Sequence, residues 1–177
     1  MLDENIFYER LDLQHEFLPF DCGDNDLNEY LYLNSKSYQK QLLAVTYYLQ
    51  NNTDTIVFFS LLNDKITAME LTNSFWRKIK NLFPHSKHRK DYPAVKIGRL
   101  AVSLQHKGEG LGTDIVSAIK QMLVNNTAIS ACRFLTVDAY KDALPFYLKN
   151  GFRLLVNNIE DESYTVPMYF DLKELCD

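Results

Sequence analysis

The run Lys107-Gly108-Glu109-Gly110-Leu111-Gly112 constrains this chain more than any other six residues. Glycine reaches backbone conformations closed to other residues, so three of them in five positions allow a sharp turn. Upstream, the pattern from Val95 to Val102 is extended; downstream, Leu111, Ile115, Ile119, Met122 and Leu123 trace one face of a helix to about Asn125. Strand, glycine-rich turn and helix in succession aim backbone N–H groups and the positive end of a helix dipole at one place, which suits a phosphate. No Gly-Lys-Ser/Thr closes the turn, which excludes a nucleoside-triphosphate loop, and the glycine spacing is not that of a dinucleotide fingerprint. A tight turn without any ligand would use the same glycines, so the rest of the chain must decide.

The elements around the turn are mixed. Ile6 to Leu13 reads as a strand, and Phe20-Asp21-Cys22-Gly23 as a turn. A helix begins at about Asp24 or Asp26, with Leu27, Tyr30, Leu31 and Asn34 facing inward. Asp26 and Glu29 have the spacing of an N-terminal cap arrangement. Leu42 to Gln50 and Thr55 to Leu62 form a hairpin around Asn51-Asn52-Thr53-Asp54. Phe75, Trp76, Ile79, Leu82 and Phe83 share one helix face, which places Trp76 in the core, and Pro84 ends that helix. Between Val95 and Val102 the apolar parity changes, which a bulge near Gly98 explains. Phe134 to Ala139 is a strand, Asp142 to Asn150 a short helix closed by Gly151, and Tyr164 to Leu172 the last strand. This order predicts one α/β domain over residues 1–177.

Composition narrows the classes further. With 177 residues, 46% of them hydrophobic, the chain can bury a core without disulfides or metals. Cys22, Cys132 and Cys176 show neither a pairing pattern nor zinc-ligand spacing, so no metal is expected. No apolar run approaches a membrane span, and Asp3, Glu4 and Glu9 replace the basic start of a secretory signal, so a cytoplasmic location is expected. The net charge of −4 hides an uneven distribution: Leu71 to Lys90 holds no acid, but holds Arg77, Lys78, Lys80, Lys87, Arg89 and Lys90. That tract can attract an anionic partner.

A second motif lies a helix and a strand downstream of the turn: Val137-Asp138-Ala139, Ala143, Phe146-Tyr147 and Gly151-Phe152. Together with Leu100-Ala101-Val102 and the glycine turn, it resembles the GNAT N-acetyltransferases. Their cofactor motif is Arg or Gln, two residues, Gly, one residue, Gly or Ala; Lys107 stands in the Arg/Gln place. The resemblance covers residues 95 to 155 most strongly. It implies a central twisted, mostly antiparallel sheet flanked by helices, and acetyl-CoA as cosubstrate. It also implies cofactor contacts from Leu100, Val102, Lys107, Gly108, Glu109, Gly110, Gly112, Thr113 and Ala143. Tyr140 stands where many members have an Asn that touches the cofactor.

Amide formation needs a neutral amine, a donor to the thioester oxygen and a donor to the leaving thiolate. The resemblance places the backbone N–H of Val102 in the first donor role and the Tyr147 hydroxyl, as general acid, in the second. A core tyrosine with its hydroxyl paired elsewhere is the competing reading. A narrower resemblance, carried by Phe20-x-Cys22-Gly23, Leu27, Tyr30-Leu31 and Gly98-Arg99-Leu100-Ala101-Val102, is to the GNAT branch containing toxins that acetylate the α-amine of aminoacyl-tRNA and are encoded beside an antitoxin. An α-amine titrates near ~8 against ~10.4 for lysine, so it suits a site without a strong base. Arg77, Lys78, Lys87, Arg89 and Lys90 could then contact tRNA phosphates. Three readings stay open: acetylation of a small or peptide amine, the tRNA-directed toxin with an antitoxin partner, and an acyl-CoA-binding module without turnover. Exposed edges also permit a homodimer.

Overall fold

The structure, a computed structural model, describes residues 8–83, 90–127, 130–156, 159 and 162–176. Among the described residues seven strands lie in the order β1-β2-β3-β4-β5-β7-β6. Its contacts define two compact units, one of Met1–Asn63 with Ile97–Val116, the other of Asp64–Lys96 with Ser117–Asp177.

In the first unit, β1 is only Glu9–Arg10, paired antiparallel with β2, Val45–Gln50; Leu11 adds a bond from its N–H to the Thr46 carbonyl at 2.8 Å. The expected strand from Ile6 to Leu13 is therefore shorter within the described residues, and Ile6 lies outside them. Helix α1, Asn25–Glu29, is capped by Asp24, whose carboxylate accepts from the Leu27 N–H at 3.2 Å. Asp26 sits in the first turn and does not cap. A π-helical turn, Tyr30–Asn34, then leads into α2, Ser35–Lys40. The extra residue of a π turn rotates the faces. Tyr30 and Leu31 stay buried as expected, but Ser35 takes the inward place read for Asn34, its hydroxyl bonded to the Leu31 carbonyl at 2.6 Å.

The hairpin forms as expected. β2 pairs antiparallel with β3, Thr55–Thr67, which runs five residues beyond Leu62, with an irregularity at Leu49/Gln50. Tyr30 stacks on Phe58 and Phe20 meets it edge-on, with Leu11, Cys22, Leu31, Tyr48 and Ala101 completing this core.

β4 is Asp91–Val102. Its buried residues are Tyr92 and Ala94, then Ile97 and Ala101, so the parity does change, but ahead of Gly98. Leu100 and Val102 are half-buried while Ala101 turns inward, the reverse of the expected faces. Gly98 has a different explanation: a Cβ there would stand 2.7 Å from Leu62 Cδ2 and 3.1 Å from Ser60 Oγ. Close approach, not turning, requires that glycine.

In the second unit, α3, Asn73–Lys80, is capped by the Thr72 hydroxyl, and its Phe75 and Ile79 pack with Ile66, Tyr92, Ala94, Phe134, Leu155 and Tyr169. Trp76 packs against Tyr92 with ring centroids 5.4 Å apart, as a core aromatic. Helix α4, Leu111–Asn125, begins in the first unit and continues here. β5, Phe134–Tyr140, pairs along seven residues with antiparallel β7, Thr165–Asp171. Between them lie α5, Leu144–Lys149, and the two-residue β6, Arg153–Leu154. Where this pairing begins, Arg133 holds Asp171 through Nε and Nη2, with its guanidinium 4.6 Å from the Phe83 ring centre. Among the described residues no helix is long and apolar enough to cross a membrane.

Candidate functional site

The first unit holds the glycine turn. β4 is pinned at its end by the Ser103 N–H, which donates to the Ile56 carbonyl at 2.8 Å. The Ser103 hydroxyl is buried and has no partner among the described residues. A single 3₁₀ turn, Leu104–His106, follows, and then Lys107 in an extended conformation. Gly108 and Gly110 have φ of +88° and +85°, and a Cβ built on either meets nothing within 4 Å. Their conformation, not crowding, calls for glycine, and the open space above them lets an anion reach the backbone. Gly112 is different: it lies inside the first turn of α4.

The helix starts its own ladder when Thr113 and Asp114 donate to the Gly110 carbonyl at 2.9 and 3.2 Å. The N–H groups of Leu111 and Gly112 precede that ladder and belong to the donors a helix cannot satisfy by itself. Leu111, Ile115 and Val116 are buried and hold the helix in place, leaving Thr113 exposed at its start. The exposed Glu109 carboxylate lies 3.3 Å from His106 Nδ1.

Lys107 is not a free charge over the turn. Its Nζ donates to the Cys22 carbonyl at 3.0 Å, across 85 residues of sequence. Leu104 N–H donates to the Asp21 carbonyl at 2.8 Å, and Gly23, at φ +82°, approaches so closely that a Cβ would stand 3.3 Å from Leu104 Cδ2. The Phe20-x-Cys22-Gly23 motif, read in the sequence as a turn and a family marker, is thus the support of the glycine turn. Asp21 organises it: its Oδ1 accepts from Gly23 N–H and Asn28 Nδ2, and these bonds hold its carboxyl below the usual carboxylate range. Burial pushes the Cys22 thiol up, as suits a residue packed in this core.

The second unit holds Tyr147 and Ala143. The exposed Tyr140 ends β5, a 3₁₀ turn carries Ala143, and Tyr147 lies inside α5, only 6% exposed, between the rings of Phe146 and Phe152. Burial raises its phenol pKa well above the ordinary 10. Gly151, at φ +80°, closes α5 as the sequence indicated. Lys120 of α4 caps it, donating from Nζ to the Asn150 carbonyl at 2.6 Å while sitting 3.5 Å from the Phe170 ring centre. The helix that carries Tyr147 is therefore fixed at its C-terminal end by bonds unrelated to any ligand.

Arg77, Lys78 and Lys90 are exposed, and Lys78 Nζ lies 5.5 Å from the Phe75 ring centre. Lys87 and Arg89 lie outside the described residues. A charged cleft on β3, β4 and β5, lined by Asp64, Lys96 and Asp138, went unread in the sequence. Its members are single charges on three strands, with no linear spacing to reveal them.

The family model for the acetyltransferase (GNAT) domain matches residues 77–172. Among solved structures, AtaT in complex with acetyl-methionyl-tRNAfMet is 22% identical, with 96% of each chain covered and a TM-score of 0.74. A Tyr-to-Phe mutant of KacT is 20% identical over 96% of each chain at a TM-score of 0.73. AtaTR bound with acetyl-CoA is 21% identical, covering 96% of this chain and 95% of that one, again at 0.74. These likenesses establish the fold.

Proposed function

Since this chain belongs to the GNAT acetyltransferase family, we propose that it transfers the acetyl group of acetyl-CoA to a primary amine by direct attack, with residues 1–177 working as one domain. The observation that carries the proposal is the turn itself: two positive-φ glycines under open space, immediately before the unsatisfied N–H groups of α4. Gly108, Glu109, Gly110 and Gly112 offer backbone donors to the pyrophosphate, with Thr113 adding a hydroxyl beside them. Lys107 spends one of its three donors on Cys22 and keeps its charge near the turn. Leu100 and Val102 on β4 and Ala143 before α5 complete the coenzyme contacts.

Acetyl-CoA supplies an activated acyl thioester. The Val102 N–H polarises its carbonyl, and the amine nitrogen attacks as the neutral base. The C–N bond forms, the C–S bond breaks, and the nitrogen gives up one proton as the sulfur takes one. Tyr147 is the general acid at sulfur. Burial keeps it protonated throughout the physiological range, so it always offers a proton to the thiolate. A thiol near ~8.5 is more acidic than such a phenol, so the hydroxyl first holds the departing thiolate by a hydrogen bond and gives sulfur its proton as the proton lost from nitrogen replaces it.

For the acceptor, the α-amine of aminoacyl-tRNA is the favoured special case. Its low pKa suits a site with no assigned base, Arg77, Lys78 and Lys90 are exposed beside Lys87 and Arg89 in sequence, and AtaT is found with acetyl-methionyl-tRNAfMet. An antitoxin partner and a homodimer belong to the same reading. Release of coenzyme A thiol should be measured with acetyl-CoA and a panel of amines, peptides and charged tRNA. Transfer to tRNA that disappears on charge reversal at Arg77, Lys78, Lys87, Arg89 and Lys90, with coenzyme binding intact, supports the special case. Coenzyme binding with no thiol release on any amine would leave only a binding module.

A further inference from the structure

Within the second unit a cleft of about 100 Å³ opens beside β5, and of the family motifs only Val137-Asp138 reaches it, with no role there assigned to either residue. One side is polar: Asp64, Lys65 and Thr67 from β3, Glu70 just after it, Lys96 from β4, and Thr136 and Asp138 from β5. The other is apolar, formed by Ile66, Leu71, Val137, Leu155, Pro167 and Met168. Lys96 Nζ donates to Asp138 Oδ2 at 2.9 Å and lies 3.6 Å from Asp64 Oδ2, while the Thr136 hydroxyl donates to that same oxygen of Asp64. These contacts all fall on Oδ2, and neither Oδ1 has a donor among the described residues. Burial opposes the charge on Lys96, but the bond and attraction of Asp138, followed by those of Asp64, prevail and raise its pKa. The carboxylates of Asp64, Glu70 and Asp138 stand against the ammonium groups of Lys65 and Lys96, and Lys65 also lies 3.4 Å from Asp91, which leaves a negative excess beside a hydrocarbon wall, where screening by water is incomplete.

An ion pair that merely ties strands together needs neither open acceptor oxygens nor an apolar wall. The Asp138 side chain is 48% exposed, so a ligand can reach it. The combination recognises a cation carried on a short aliphatic group. A free amino acid fits poorly, because its own carboxylate would meet the negative excess; an ester or amide removes that charge. We propose that this cleft is a subsite for a protonated aliphatic α-amino-acid ester, with its ammonium on the Oδ1 atoms of Asp64 and Asp138 and its side chain on the apolar wall. The proposal rests on the acetyltransferase reading for its place in a reaction, since such an ester is the chemistry of an aminoacyl acceptor.

Its test needs no turnover. Leucine methyl ester, N-acetyl-leucine methyl ester and free leucine are titrated into the full chain by calorimetry, with melting curves run on every variant. The ester binds at least tenfold more tightly than the other two. Asp138→Asn weakens the ester about tenfold, the scale of one charge-assisted hydrogen bond. Lys96→Met tightens it several-fold, because the competing ammonium is gone. These opposite signs separate ligand binding from a structural ion pair, whose loss on either side would move both variants together. Equal binding of the ester and its N-acetyl form, no ester binding at millimolar concentration, or affinities within twofold in both variants overturns the proposal. An ester that binds as described but is never acetylated refutes the proposed function alone. An ester acetylated equally well by both variants, with unchanged affinity, refutes the subsite alone.

Discussion

Replacing Gly110 with Ala separates a phosphate cradle from a plain turn. At φ +85° an alanine pays the left-handed backbone penalty of about 1–2 kcal/mol. Nothing within 4 Å of the new Cβ adds a steric cost, so that penalty is the whole loss of folding stability. The methyl group does enter the open space through which a pyrophosphate would approach the N–H groups of Leu111 and Gly112. A backbone bond to a charged oxygen contributes about 1.5–3 kcal/mol, so displacing one weakens acetyl-CoA binding by about tenfold or more. Gly110→Asn divides the two effects, because asparagine tolerates the left-handed region yet brings a larger side chain. Urea unfolding should show Gly110→Ala down by 1–2 kcal/mol and Gly110→Asn closer to the parent, while calorimetry shows both weak for acetyl-CoA. If Gly110→Ala loses the expected stability but keeps its acetyl-CoA Kd within twofold, the turn is only a turn, and the placement of the coenzyme on it is refuted.

The other expectations rest on different contacts. Tyr147→Phe keeps the packing between Phe146 and Phe152 and should lower kcat by about 10² or more at unchanged acetyl-CoA affinity. Because burial raises the folded-state pKa of Tyr147, its contribution to stability is complete below pH 10 and is lost only as pH climbs through the raised value. The rate should accordingly show no phenol ionisation between pH 7 and about 9; a fall there that the Phe variant lacks would contradict this. Lys107→Ala breaks the bond to Cys22 and should weaken coenzyme binding several-fold, with Lys107→Arg restoring most of it, as read by calorimetry. Asp171→Ala strands the half-buried Arg133 beside Phe83 and should cost about 3 kcal/mol in urea unfolding, leaving coenzyme affinity in the surviving folded protein unchanged.

What the sequence discloses here is what neighbouring residues decide among themselves. The glycine turn, the hairpin, the α4 periodicity and the Gly151 helix end are written in a few adjacent positions, and each stands where the pattern put it. The π turn at Tyr30–Asn34 inserts one residue that no hydrophobic period marks, and so Ser35 displaces Asn34 from the inner face. Asp24 and Asp26 are equally good caps on paper; the extended backbone of Asp24 chose between them. The faces of β4 were misread because Ala101 is small, and its burial against Tyr30 and Phe58 is a tertiary matter that apolar size does not announce. For the candidate site the division is the same. Every residue of the turn was visible, but the bond from Lys107 to Cys22 and the meeting of Asp64, Lys96 and Asp138 join segments far apart in the chain.

The first unit is assembled from two separate stretches, with the residues from Asp64 to Lys96 belonging elsewhere. During synthesis the turn around Cys22 therefore leaves the ribosome well before its later partners Leu104 and Lys107. At about 5–20 residues per second, the 85 residues to Lys107 take several seconds. For most of that interval Tyr30, Leu31 and Phe58 must wait for Ala101 to complete their core. A nascent chain stalled before Lys107 has its N-terminal segment but no glycine turn, so competence to hold a phosphate comes on as a late step of translation.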